Sequence, residues 1–170
     1  FYDIPKARAD GRRIRRMALL GRANFAWQSD YGQFYVIDTE DAGFRAPETI
    51  TPEMEGRGLH VPQSGLVIYT QDCLQQHIRI AIHASQPVPS DKEPMSGRAW
   101  TRVETVRARF PYRTFTLTSP SAPDVLPCGP FFALPASEVM VRISWMEFEG
   151  SRDDSLPVEP DVIQLEFWPA

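Results

Sequence analysis

From residue 23 onward, apolar and polar side chains alternate with a period of two, the spacing at which successive side chains leave a strand on opposite faces. The clearest run is 76–84, where Ile78, Ile80 and Ile82 share one face while His77, Arg79, Ala81 and His83 share the other. The same pattern predicts strands over 24–28 (Phe25, Trp27), 31–38, 65–71, 112–118 (Phe115, Leu117), 138–148 (Val139, Val141, Ile143, Trp145) and 162–168 (Ile163, Leu165, Phe167). A short strand is added over 131–134. In 98–109 the apolar phase slips between Val103 and Val106, which predicts a β-bulge.

The helical period is scarce. Thr51 followed by Pro52, with Glu53 and Glu55 close behind, predicts one short helix, because threonine caps a helix start, proline fits its first position and carboxylates suit its positive end. Sixteen prolines fall mostly at the joints, and the stretch 85–97 is expected to be an exposed loop. No helices of the length that parallel crossovers need are visible. The expected fold is therefore all-β: an antiparallel two-sheet β-sandwich with one short helix and a basic N-terminal extension, divided into residues 1–22 (extension, with Ile14, Met17, Ala18 and Leu20 loosely helical in spacing) and 23–170 (sandwich).

Charge sharpens this division. Residues 1–22 hold seven basic groups against two acidic ones, a balance of +5, so the remainder carries −9 for the chain's net −4. An acidic body repels nucleic acid and favours basic partners. At 170 residues, with 42% hydrophobic and 24% charged residues, the chain has the composition of one globular domain, and no apolar run nears the ~18 residues that span a bilayer. Cys73 and Cys128 are the only cysteines and are far apart, so the expectation is free thiols, a cytoplasmic setting and no metal.

Catalytic spacing is missing. His77 and His83 share a strand face but lie ~20 Å apart, and His60 is remote in sequence. The serines at 64 and 96 precede glycines without the leading glycine of a nucleophile elbow, and no glycine-rich phosphate loop occurs. These absences predict a protein without catalytic residues or cofactors. The acidic clusters Asp38, Glu40 and Asp41, and Asp153, Asp154, Glu159 and Asp161, are the candidate partner-binding residues, as loop carboxylates complementary to a basic protein. The competing expectations are an aromatic ligand or carbohydrate platform built from Trp27, Tyr31, Tyr35, Tyr69 and Trp100, and a hydrolase whose groups meet only in three dimensions.

The segment ANFAWQSDYGQFYVID, followed by a loop, a Thr-initiated helix and a Gly-led strand, resembles the ComJ-like family of small bacterial proteins, as does the closing pair VMVRISWMEFEGSRDD and VIQLEFWPA. The likeness spans residues 22–170, with Tyr31, Gln33, Phe34 and Trp168 on its motifs, where they are expected to be structural. Glu166 inside the closing motif and the basic lead-in depart from the pattern. The resemblance implies a β-sandwich that binds a protein partner, as an immunity-type inhibitor of a basic nuclease toxin.

Overall fold

The computed structural model describes residues 18–71, 75–121, 130–148 and 160–170. Ten strands and one helix follow in the order β1 (Leu19–Gln28), β2 (Gln33–Ile37), α1 (Pro52–Arg57), β3 (Leu59–His60), β4 (Leu66–Tyr69), β5 (Gln75–His83), β6 (Arg102–Arg109), β7 (Thr114–Thr118), β8 (Phe132–Ala133), β9 (Glu138–Met146) and β10 (Val162–Pro169). They form two five-stranded sheets. Sheet I has the order β1-β5-β10-β9-β6 and sheet II the order β3-β4-β2-β7-β8.

In β5, β7, β9 and β10 the inward faces are those the alternation marked, whereas β2 and β4, for which it marked none, are buried on both faces. Ile78, Ile80, Ile82, Val139, Val141, Ile143, Trp145, Ile163, Leu165 and Phe167 of sheet I pack on Phe34, Val36, Leu66, Ile68, Phe115 and Leu117 of sheet II. Phe115 stacks on Phe167 at 4.6 Å and on Phe132 at 4.8 Å, which ties the sheets together through one aromatic column. Helix α1 starts as expected: the Thr51 hydroxyl accepts from the Met54 amide at 3.3 Å, and Pro52 opens the helix.

Four features differ from the sequence expectation. One pair of strands is parallel: β10 runs alongside β5, with Val162 opposite His77 and Phe167 opposite Ile82. No crossover helix is required, because β10 reaches that position from β9, its antiparallel neighbour on the other side. The bulge expected in β6 is absent, since its register with β9 is unbroken from Arg102 to Arg109. The phase slips there because Arg102 and Glu104 take inward positions at one end of the strand and leave Val103 exposed. The irregularity lies instead in β1, between Leu19 and Gly21. β1 also begins at Leu19, so Leu20 belongs to a strand; the rest of the helically spaced lead-in, 1–17, lies outside the described residues.

Both sheets also carry cover on their outer faces. Phe44, Ala46 and Met54 close over Tyr35, Ile37, Val67 and Tyr69 on sheet II. The 85–97 loop is mostly exposed, as expected, but it folds over sheet I and buries Pro87 and Glu93, with Glu93 paired to Arg79 and accepting the Met95 amide at 2.9 Å.

Candidate functional site

Of the acidic residues singled out from the sequence, those among the described residues do not share one surface. Asp38 follows β2 and is only 2% exposed; its carboxylate accepts from the Tyr112 amide at 2.7 Å, the Thr114 hydroxyl at 3.2 Å and the Glu40 amide at 3.3 Å. It locks the 111–114 turn against β2. Glu40 beside it is exposed and Asp41 half-buried. Hydrogen bonding from the Ser64 hydroxyl, ahead of the Gly43 amide and the charges of Arg109 and Arg45, holds the Asp41 carboxyl below the usual carboxylate range. The same hydroxyl lies 3.4 Å from the Arg109 carbonyl.

Asp161 sits at the opposite end of the sandwich. It is buried, accepts the Phe148 amide at 2.9 Å, and its carbonyl accepts the His77 amide at 2.8 Å. Asp153, Asp154 and Glu159 lie outside the described residues. The aromatic platform does not assemble either: Tyr35 and Tyr69 are buried on the outer face of sheet II, Trp27 packs against the main core, Trp100 is half-buried in the sheet I loop, and Tyr31 stands apart in solvent. His77 and His83 sit on β5 and His60 on β3. Among the described residues, no three His, Cys, Asp or Glu side chains converge as metal ligands, and no helix is long and apolar enough to cross a membrane.

A different site emerges at the Asp161 end. Between β1 and β2, Asp30 and Gln33 exchange two backbone hydrogen bonds, 3.2 and 3.1 Å long. The two residues between them, Tyr31 (φ 52°) and Gly32 (φ 67°), both have positive φ, the mark of a type I′ turn. Glycine adopts this conformation freely, whereas tyrosine does so under strain. The turn therefore holds the Tyr31 ring out on a stiff support, 73% exposed. The sequence expectation differs here: it places Tyr31 and Gly32 inside a strand over 31–38, whereas β2 begins at Gln33, and alternation gives no sign that this aromatic, unlike its neighbours, faces solvent.

Next to Tyr31 opens a cavity of about 330 Å³ whose lining includes Ile50, Glu55, Tyr69, Arg102 and Glu147. Its floor is fixed by Arg102. The guanidinium lies over the Trp145 ring at 4.5 Å, pairs with Glu147 at 3.0 Å and donates to the Glu55 and Gly56 carbonyls at the end of α1, both at 3.4 Å. Gly58 leaves room for it, since a Cβ there would collide with the guanidinium. Burial, then the negative charges of Tyr35 and Glu55, pushes the Tyr69 phenol above its usual range, and Glu55 and Tyr69 line the same cavity. The site thus joins an exposed aromatic, the exposed Ile50 and two carboxylates at one end of the sandwich.

The outer face of sheet I carries a second polar group, buried under the loop. Glu166 Oε2 accepts from Arg142 Nε at 2.8 Å, and its Oε1 lies 3.5 Å from His83 Nε2, within ion-pair reach but beyond a hydrogen bond. Arg142 also donates to the Val88 carbonyl at 3.3 Å. Burial draws the nearby Arg79 guanidinium below its usual range, and Glu93 neutralises it. These charges are consumed in holding the loop down.

No protein-family model matches the chain, and no curated protein matches it. Solved structures similar to it include ComJ from Bacillus subtilis, an inhibitor of the DNA-degrading activity of NucA. The two superpose with a TM-score of 0.61 at 14% identity, covering 91% of this chain and 98% of that one. A protein described as crocagin biosynthetic gene J gives a TM-score of 0.50 at 14% identity, covering 90% of this chain and 99% of that one. The fold is ComJ-like.

Proposed function

We propose that this is a cytoplasmic, non-enzymatic protein-binding domain that inhibits a basic nuclease by docking through the Tyr31 end of the sandwich. The observation that carries the reading is Tyr31 itself, held in solvent by a stiff turn beside Ile50 and the exposed carboxylate of Glu55, the second carboxylate, Glu147, being paired with Arg102. Rigid exposed aromatics next to a cavity are typical anchors of protein interfaces, where they bury large area at small entropic cost. Carboxylates around such an anchor speed the approach of a basic partner. The ComJ-like fold supports an inhibitor in preference to an enzyme.

This placement is narrower than the full set of acidic loops. Asp38 and Asp161 spend their carboxylates inside the fold, and Asp38, Glu40 and Asp41 lie at the far end. Asp153, Asp154 and Glu159 follow Glu147 in the chain and are the acidic residues to test beside it. The test uses the whole chain, titrated against a purified high-pI nuclease whose activity it suppresses at one-to-one stoichiometry. Tyr31→Ala should weaken inhibition about 100-fold if Tyr31 is an anchor, and Glu55→Lys should slow association. Full inhibition by both variants would remove the site, and failure of the unmodified chain to bind any such nuclease would remove the inhibitor role.

A further inference from the structure

A sheet edge is a row of unpaired backbone donors and acceptors, and folded proteins blunt their edges with short strands or charge. Three of the four edges here follow that rule. In sheet II, β3 and β8 are two residues long. In sheet I, β6 carries four charged residues in eight, and its Arg102 and Arg107 are paired with Glu147 and Glu138. The fourth edge, β1, is ten residues long, has Arg22 as its sole charge, and among the described residues pairs only with β5. Its inward residues Ala23, Phe25 and Trp27 are only half-buried, unlike Ile80, Ile78 and Gln76 opposite them on β5, which are buried. Leu19 and Leu20 at its start are exposed.

The sequence of this edge is complementary to itself. Along its inward face the side chains run Gly21, Ala23, Phe25, Trp27, from smallest to largest. An antiparallel partner of the same sequence, centred on Asn24, places Gly21 of one copy opposite Trp27 of the other, and Ala23 opposite Phe25. Each large ring then covers a small residue, the arrangement by which an aromatic shields a strand glycine. Centring the pair on Ala23 or Phe25 instead leaves two alanines or two phenylalanines face to face. On the outward face the Asn24 register sets Arg22 opposite Ala26, so no like charges meet. We infer that β1 is the interface of a two-fold homodimer in which two copies of sheet I join edge to edge into one ten-stranded sheet, with Asn24 on the axis.

The experiment reads the mass of the full chain in solution by analytical ultracentrifugation over a range of concentrations, and a dimer is expected. Ala26→Lys puts a second cation opposite Arg22 twice per dimer and should raise the dissociation constant about tenfold. Adding Arg22→Glu to that variant turns the clash into an attraction and should restore the dimer. Both positions are exposed, so the circular dichroism melt of the monomer should be unchanged. Asn24→Cys, mildly oxidised, should cross-link copy to copy through position 24, as directly opposed residues lie within disulfide reach, with the linkage mapped by mass spectrometry. A chain monomeric at every concentration overturns the inference. So does a dimer that Ala26→Lys leaves intact and that Asn24→Cys does not cross-link.

Discussion

Arg142 and Glu166 stand directly opposite one another on β9 and β10, and one carboxylate oxygen takes both guanidinium nitrogens, at 2.6 Å from Nη2 and 2.8 Å from Nε. Both side chains are largely shielded by the loop over sheet I. Removing one charge leaves the other buried and uncompensated. Glu166→Leu is expected to cost about 3–5 kcal/mol, and the double variant Arg142→Met/Glu166→Leu to recover most of it. Urea unfolding of the three proteins checks this, and equal losses in the single and double variants would contradict it.

Asp38→Ala removes the acceptor for the Tyr112 amide and the Thr114 hydroxyl inside a buried turn. The expected loss is about 1–3 kcal/mol of stability. Partner affinity per folded molecule should be unchanged, because this carboxylate faces inward at the end away from Tyr31. A thermal melt alongside a binding isotherm separates the two effects.

Gly58 ends α1 at φ 70° and leaves the space that the Arg102 guanidinium fills. Gly58→Ala both strains the backbone and expels the guanidinium, at a cost on the order of 1–3 kcal/mol. The emission of Trp145 should shift as the cation leaves its ring. Unaltered Trp145 fluorescence in the folded variant would show that Arg102 is not held this way.

Burial raises the phenols of Tyr35, with help from Asp30, and of Tyr69, with help from Tyr35 and Glu55. A group whose pKa is raised by folding contributes stability that is complete below its unfolded value, near 10, and is lost as pH climbs through the higher folded value. Stability should therefore decline above pH 10. The lowered Asp41 carboxyl works in the other direction: its contribution is present above an unfolded value near 3.8 and fades as pH falls through the folded one. Denaturation midpoints measured at both extremes should bend down at each, and Tyr35→Phe/Tyr69→Phe should flatten only the alkaline limb.

Strand identity was legible where one face is buried by neighbours in the same sheet. Ile78, Ile80 and Ile82 announce β5 because each points at the same core. The Thr51-Pro52 start of α1 was equally plain, since capping is decided within four residues. Pairing was less legible. Nothing in the apolar run of β10 distinguishes a parallel neighbour from an antiparallel one, as both bury the same face. In β6, Arg102 and Glu104 occupy inward positions because Trp145 and the end of α1 lie over that end of the sheet, a tertiary circumstance that periodicity cannot carry. Two of the acidic candidates, Asp38 and Asp161, turn inward for a related reason. Asp38 and Asp161 look like solvated charge in one dimension and become acceptors for amides distant in sequence or across a loop.

The position of β10 bears on how the chain comes to be folded. It follows every other strand in sequence yet lies in the middle of sheet I, between β5 and β9. On the ribosome, β5 and β9 must wait with open edges until residues 162–169 emerge, and only then can the ladder that joins them close. Such late, non-local closure slows folding and exposes unpaired strands to aggregation. A nascent chain halted before Val162 should therefore remain protease-sensitive and chaperone-bound, and release of the last eight-residue strand should mark the moment at which sheet I assembles.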